Sequence, residues 1–193
     1  MQENFKKVVD QIVGHYCWGF AYDPLLNLSF QIGYPKLSIR EPRQTSSKNP
    51  DIIWLYSVRQ VEPSGNWEFY TRVAYWKITQ DDISTTRSSS KKQILTALAT
   101  LSGQILKNCQ VEATGKTQFE FDLGGILEIK RCNNSSVKIL WDIYMPDDSV
   151  YSVLSDGSFE FETSKSPLKL KENQVLFNSR HPSVVLFKNT SND

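Results

Sequence analysis

Residues 90–130 read SKKQILTALATLSGQILKNCQVEATGKTQFEFDLGGILEIK, and the change of period inside this stretch decides the fold class. Ser90-Lys91-Lys92-Gln93 fits a capping box, in which the serine oxygen accepts the N3 amide while the glutamine side chain reaches back to the cap. Ile94, Leu95, Leu98, Leu101 and Ile105 then keep one face apolar, which predicts a helix over 90–106. After it, short runs at 109–113, 117–123 and 126–131 are separated by Thr114-Gly115-Lys116 and Gly124-Gly125, residues with hairpin-turn chemistry. A helix handing over to consecutive hairpins predicts an α+β chain with an antiparallel sheet.

Working outward, the runs 137–145, 149–154 and 158–162, with turns at Asn133-Asn134-Ser135, Pro146-Asp147-Asp148 and Ser155-Asp156-Gly157, extend the meander. Upstream, Phe5, Val8, Val9, Ile12 and Val13 mark an amphipathic helix from Glu3 to Gly14. Leu26, Leu28, Phe30 and Ile32 alternate with polar residues as a half-buried strand. Gly33-Tyr34-Pro35 turns it, and Leu37 and Ile39 lie on the returning strand of a hairpin. Residues 41–50, EPRQTSSKNP, read as an exposed loop. Ile52 to Val61 reads as a strand, 62–66 as a turn, and Trp67 to Ile78 as one strand whose aromatics on both parities require cover on both faces. Residues 83–90 read as a flexible polar connector.

The predicted architecture is mainly antiparallel, a twisted sheet or open sandwich. The central helix packs on one face, with the short N-terminal helix beside it. Residues 1–193 form a single α+β domain in this reading, with 1–62 readable as an N-terminal lobe and 163–193 as a basic connector, edge strand and tail.

Composition narrows the function. The 193 residues carry 22 basic against 21 acidic side chains, a formal charge of +1, which argues against a dedicated nucleic-acid binder. Cys17, Cys109 and Cys132 are odd in number and widely spaced, the pattern of buried thiols in a reducing compartment. With no leader-like start and no apolar run of the ~20 residues that span a bilayer, a cytoplasmic protein without membrane contact is expected. The sequons at Asn27, Asn133, Asn134 and Asn189 are then chance matches.

Gly115-Lys116-Thr117 looks like the end of a phosphate loop, but Gln110 stands where a glycine is needed and a strand follows, so it reads as a turn. His15 and His181 have no metal spacing, and pairing of Cys17 or Cys109 with His181 is outweighed by the reading of structural cysteines. Asp122, Glu128 and Lys130 fall on one face of a hairpin. They resemble the D…E-x-K signature of restriction-endonuclease-like nucleases, which implies a divalent-metal site, although the spacing is short and strands follow where that family has a helix. A sheet lined by Trp67, Tyr75 and Trp76 is the alternative of small-ligand binding.

Between residues 139 and 164 six acids, Asp142, Asp147, Asp148, Asp156, Glu160 and Glu162, occur without a lysine or arginine, among Trp141, Tyr144, Tyr151, Phe159 and Phe161. Aromatic anchors within an acidic rim make a protein-contact surface. The expected contact residues are Trp141, Asp142, Tyr144, Asp147, Asp148, Tyr151 and Asp156, with no catalytic residue, metal or cofactor.

Three segments, Trp76-Lys77-Ile78, Ala97 to Gln104 (ALATLSGQ) and Phe121 to Glu128 (FDLGGILE), together resemble a set of small uncharacterised bacterial proteins. That set has a tryptophan-rich strand, an A-L-x-x-L-x-G-Q helix end and an F-D-L-G-G-x-L-E hairpin. The likeness spans residues 65–162 and transfers no catalytic residue. It implies a non-enzymatic, immunity-like or adaptor protein whose partner is a protein such as a toxin.

Overall fold

The structure, a computed structural model, describes residues 3–163 apart from 24, 26, 73 and 133–136. Helix α1 (Glu3–Ile12) leads into β1 (Cys17–Tyr22), β2 (Leu28–Ile32) and β3 (Lys36–Arg40). After a loop come α2 (Pro50–Ser57), β4 (Gln60–Ser64), β5 (Trp67–Thr71), β6 (Tyr75–Gln80) and β7 (Ile83–Thr86). Helix α3 (Lys91–Leu101) precedes β8 (Leu106–Val111), β9 (Thr117–Phe121), β10 (Ile126–Lys130), β11 (Ile139–Tyr144), β12 (Val150–Leu154) and β13 (Phe159–Glu162). Mostly antiparallel strand with three helices among the described residues, this is an α+β chain.

Strands β1-β2-β5-β11-β12-β13 form one sheet, β7-β6-β10-β9-β8 a second, and β3-β4 a separate two-stranded ribbon. Period two turns Phe30, Phe69, Trp141 and Tyr151 of the first sheet, and Trp76, Phe119, Leu127 and Ile129 of the second, into one shared apolar cluster. Phe119 ties the sheets together, its ring 5.1 Å from Phe69 and 5.8 Å from Trp141. Helix α3 packs on β1, β6 and β7 and buries Ile94, Leu98 and Leu101. Helix α1 instead meets β8, and its Phe5 stacks 4.7 Å from Phe159. The two helices therefore meet different edges of the sheets, rather than lying side by side.

At one end the turns of the two sheets touch. Gly157 has φ 79°, and a Cβ there would lie 2.3 Å from the Ala113 carbonyl oxygen, so only glycine fits the junction.

The capping box forms as the sequence predicts: Gln93 N donates to Ser90 Oγ, and Gln93 Oε1 accepts from Ser90 N at 2.9 Å. The helix stops at Leu101 because Gly103 turns left-handed (φ 95°), which leaves Ile105 outside it. The hairpin runs after residue 108 are strands, but they divide: β8-β9-β10 meander in one sheet and β11-β12-β13 in the other.

Four expectations fail. Leu37 and Ile39 lie on a strand that pairs with β4 rather than β2, whose partners are β1 and β5. Residues 50–57, which overlap the expected strand Ile52–Val61, are helical: Asn49 Oδ1 accepts from Asp51 N at 2.9 Å, and Pro50 opens the first turn. The run Trp67–Ile78 is two strands in different sheets, one ending at Thr71 and the next starting at Tyr75, and the buried parity switches from Trp67 and Phe69 to Trp76 and Ile78. Trp67 and Phe69 of one parity and Trp76 of the other thus serve one core seen from two sheets, while Tyr70 and Tyr75 lie outside it. Finally, Ile83–Thr86 is a strand, joined to β6 by Asp81-Asp82 with φ of 48° and 64°, the positive pair a two-residue hairpin needs. The edge strand expected in 163–193 lies, beyond Thr163, outside the described residues.

Candidate functional site

The seven residues expected to form a contact surface do not share one. Trp141 is 1% exposed, and its Nε1 donates to Thr117 Oγ1 at 2.8 Å in the core. Tyr151, 2% exposed, packs against Phe5 and Phe159, and burial pushes its phenol up to about 12. Strand parity explains the error, because the odd positions of β11 and β12 face the second sheet. Asp142 faces the other way but is also only 2% exposed. Asp147, Asp148 and Asp156 are exposed at turns. Asp147 Oδ1 accepts from Ser149 Oγ at 2.5 Å and Asp156 Oδ1 from Ser158 Oγ at 2.5 Å, and these hydroxyl bonds hold both carboxyls below their ordinary range.

The outer face of the six-stranded sheet carries the densest polar cluster. Ser29, Tyr70, Asp142, Ser152 and Glu160 stand opposite one another on successive strands. Asp142 accepts from Arg72 Nε at 2.6 Å and from Ser152 Oγ at 2.6 Å, while Arg72 Nη2 donates to Tyr144 Oη at 2.8 Å. The Arg72 guanidinium lies 4.8 Å over the Tyr70 ring, and Tyr70 Oη donates to Asp23 Oδ2 at 2.6 Å. Burial works against the charge on Arg72, but Asp142 and Tyr144 outweigh it and its pKa rises. A serine donating to a carboxylate already neutralised by an arginine gains no nucleophilicity. These bonds tie the end of β5 to β11 and β12.

Other candidate chemistry does not assemble. Asp122 sits in the turn after β9, its Oδ1 accepting from Ile105 N at 2.7 Å. Leu123 is exposed in the same turn. Glu128 is held by Lys77 at 3.7 Å and Lys116 at 3.4 Å, and Lys130 lies 4.9 Å over the Tyr75 ring, so each member of the D…E-x-K set has its own structural partner. Among the described residues no three His, Cys, Asp or Glu side chains are grouped to hold a metal ion. Burial raises the Cys17 thiol to about 12 and moves the Cys109 thiol in the same direction, the opposite of an activated nucleophile. Cys132 is half-buried rather than buried. Tyr75 and Trp76 point to opposite faces of β6, and Trp67 and Trp76 are packed in the core, so the three line no common pocket. No helix among the described residues is long and apolar enough to cross a membrane.

The feature that sequence reasoning missed is the ribbon β3-β4. It prolongs the paired strands β2 and β5, bending where Gly33 has φ 93° and where Gly65 N donates to Gln31 Oε1 at 2.9 Å. Residues 34–64 therefore form an arm, with α2 at its far end and no residue in the core cluster. The arm is turned inside out. Ser38, Arg40, Gln60, Glu62 and Ser64 face Gln31 across an indentation of about 10 Å³, room for about one water. Leu37, Ile39 and Val61 face outward at 73%, 61% and 54% exposure, with Ile39 opposite Val61. Helix α2 buries nothing and exposes Ile53 and Trp54 as well. The alternation in KLSIR and QVEPS was visible in the sequence, but not which parity would face the body.

Compared with family models, curated proteins and solved structures, the chain matches none.

Proposed function

We propose that this chain is a non-enzymatic protein-binding domain of adaptor or immunity type, an open sandwich that presents the outer face of its arm to a protein partner. The carrying observation is the inverted ribbon, which leaves Leu37, Ile39 and Val61 in water while polar residues face the body. Burying such side chains is worth roughly 1.5–3 kcal/mol each, and contiguous exposed apolar surface on a folded chain marks an interaction site. A two-stranded ribbon alone is only marginally stable, so a covering partner also stabilises the arm. The exposed acids Asp147, Asp148 and Asp156 lie outside the core and supply a field that steers encounter. A cytoplasmic setting belongs to the same reading and is supported by three free cysteines. A toxin, the partner class implied by the resemblance to immunity-like proteins, fits it.

The test uses the protein that co-purifies from the native host, reconstituted with this chain from purified components. Calorimetry should show that Ile39→Asp with Val61→Asp weakens binding at least tenfold, about 1.4 kcal/mol. Asp147→Lys with Asp148→Lys should slow association and blunt its salt dependence. Unchanged affinity in the arm variant overturns the arm as the contact surface.

A further inference from the structure

We infer that the arm also pairs with a second copy of this chain, its strand β3 adding to the free edge of β13 in the neighbouring copy. Both strands end their sheets, so each has an edge with no strand beside it among the described residues. Such edges are templates for pairing unless something blunts them. Their side-chain patterns are complementary. β3 reads KLSIR, with Leu37 and Ile39 on one face and Lys36 and Arg40 on the other. β13 reads FEFE, with Phe159 and Phe161 on one face and Glu160 and Glu162 on the other.

Laid edge to edge, the two strands put aromatic against aliphatic on one face and carboxylate against cation on the other, both favourable cross-strand pairings. Phe161 is 54% exposed, and Lys36, Glu160 and Glu162 are exposed, whereas Arg40 is half-buried with Glu62 at 3.7 Å. Pairing arm to arm lacks this match. Residues 34–64 carry five cations, Lys36, Arg40, Arg43, Lys48 and Arg59, against the three acids Glu41, Asp51 and Glu62, so two arms repel.

Within one chain the partners are apart, since β11 and β12 separate β13 from the arm's base at β2 and β5. The contact is therefore head-to-tail, and each copy offers one donor arm and one acceptor edge. Because the same arm serves the proposed protein partner, self-association and partner binding compete.

Sedimentation velocity across a concentration series tests this with the full chain alone. The wild-type chain should associate with concentration, less at high salt. Ile39→Asp removes the donor and Glu160→Lys with Glu162→Lys removes the acceptor, and each variant alone should sediment as a monomer. An equimolar mixture of the two should form a dimer that grows no further, because the one good arm meets the one good edge. Unchanged thermal unfolding of each variant checks folding, since the substituted residues are exposed. A wild-type chain that stays monomeric at every concentration overturns the inference, as does association that survives in the Glu160→Lys/Glu162→Lys variant. A monomeric chain that still binds its protein partner overturns self-association alone and leaves the proposed function standing.

Discussion

The arm of residues 34–64 and the hairpins of residues 139–162 are both built from short strands that alternate apolar and polar side chains, yet they face opposite ways. In the hairpins the apolar parity points inward: Trp141, Ile143, Tyr151 and Val153 are buried. In the arm it points outward, and Leu37, Ile39 and Val61 are in water. The acidic, aromatic composition of the hairpins resembled a contact surface but belongs to a core with a polar outer face. The plainer arm carries the exposed apolar surface. Alternation shows that a strand has two faces, whereas packing decides which face is buried.

Substitutions at matched positions sharpen the contrast. Trp141→Ala should cost about 3–5 kcal/mol in denaturant unfolding, because it empties a packed site and strands the Thr117 hydroxyl. A loss under about 1 kcal/mol would mean that the hairpin is not the core element described. On the outer face of the same sheet, Asp142→Ala should cost about 3–5 kcal/mol by leaving the Arg72 charge unpaired. Adding Arg72→Met should recover part of that loss, and a double-mutant cycle without coupling would break the account of the network.

The next effect is smaller and depends on pH. The folded state raises Cys17 from 9.0 to about 12 and Tyr151 from 10.0 to about 12 through burial. Below pH 9 both states hold these protons and stability is unaffected. From pH 9 for Cys17 and from pH 10 for Tyr151, up to about 12, the unfolded chain releases a proton that the folded chain retains, so stability falls by about 1.4 kcal/mol per pH unit for each group within its own window. Unfolding midpoints across this range should decline, less steeply in Cys17→Ala, and a flat profile would contradict the burial. Smallest of all, Ile39→Ala should change stability by no more than about 0.5 kcal/mol, since its side chain packs on nothing that folding buries.

Much of the core was legible in the sequence because local rules govern it. The Ser90/Gln93 cap, the apolar stripe Phe5-Val8-Val9-Ile12 and the turns at Gly115, Gly124 and Gly157 act over a few residues. Strand β1 (CWGFAY) went unread because Gly19 and a bulge interrupt its alternation. Helix α2 was mistaken for a strand because Ile52-Ile53-Trp54-Leu55-Tyr56 is a continuous apolar run, equally compatible with either form. Its Asn49-Pro50-Asp51 start was the available signal. The candidate site was the least legible part. Asp142 looked like one of six surface acids until Arg72, seventy residues upstream, neutralised it.

By itself the sequence determined the α+β class, the central helix with its cap, the hairpin strands after residue 108 and the turns between them, except the one expected at residues 133–135, which lies outside the described residues, because capping, period and turn chemistry are properties of neighbouring residues. Only the tertiary structure decided that the hairpins divide between two sheets, that Trp67–Thr71 and Tyr75–Gln80 lie in different sheets, and that the arm stands with its apolar face outward. Those outcomes depend on which distant strand supplies the pairing edge and the covering layer, and period two is the same whichever face is covered.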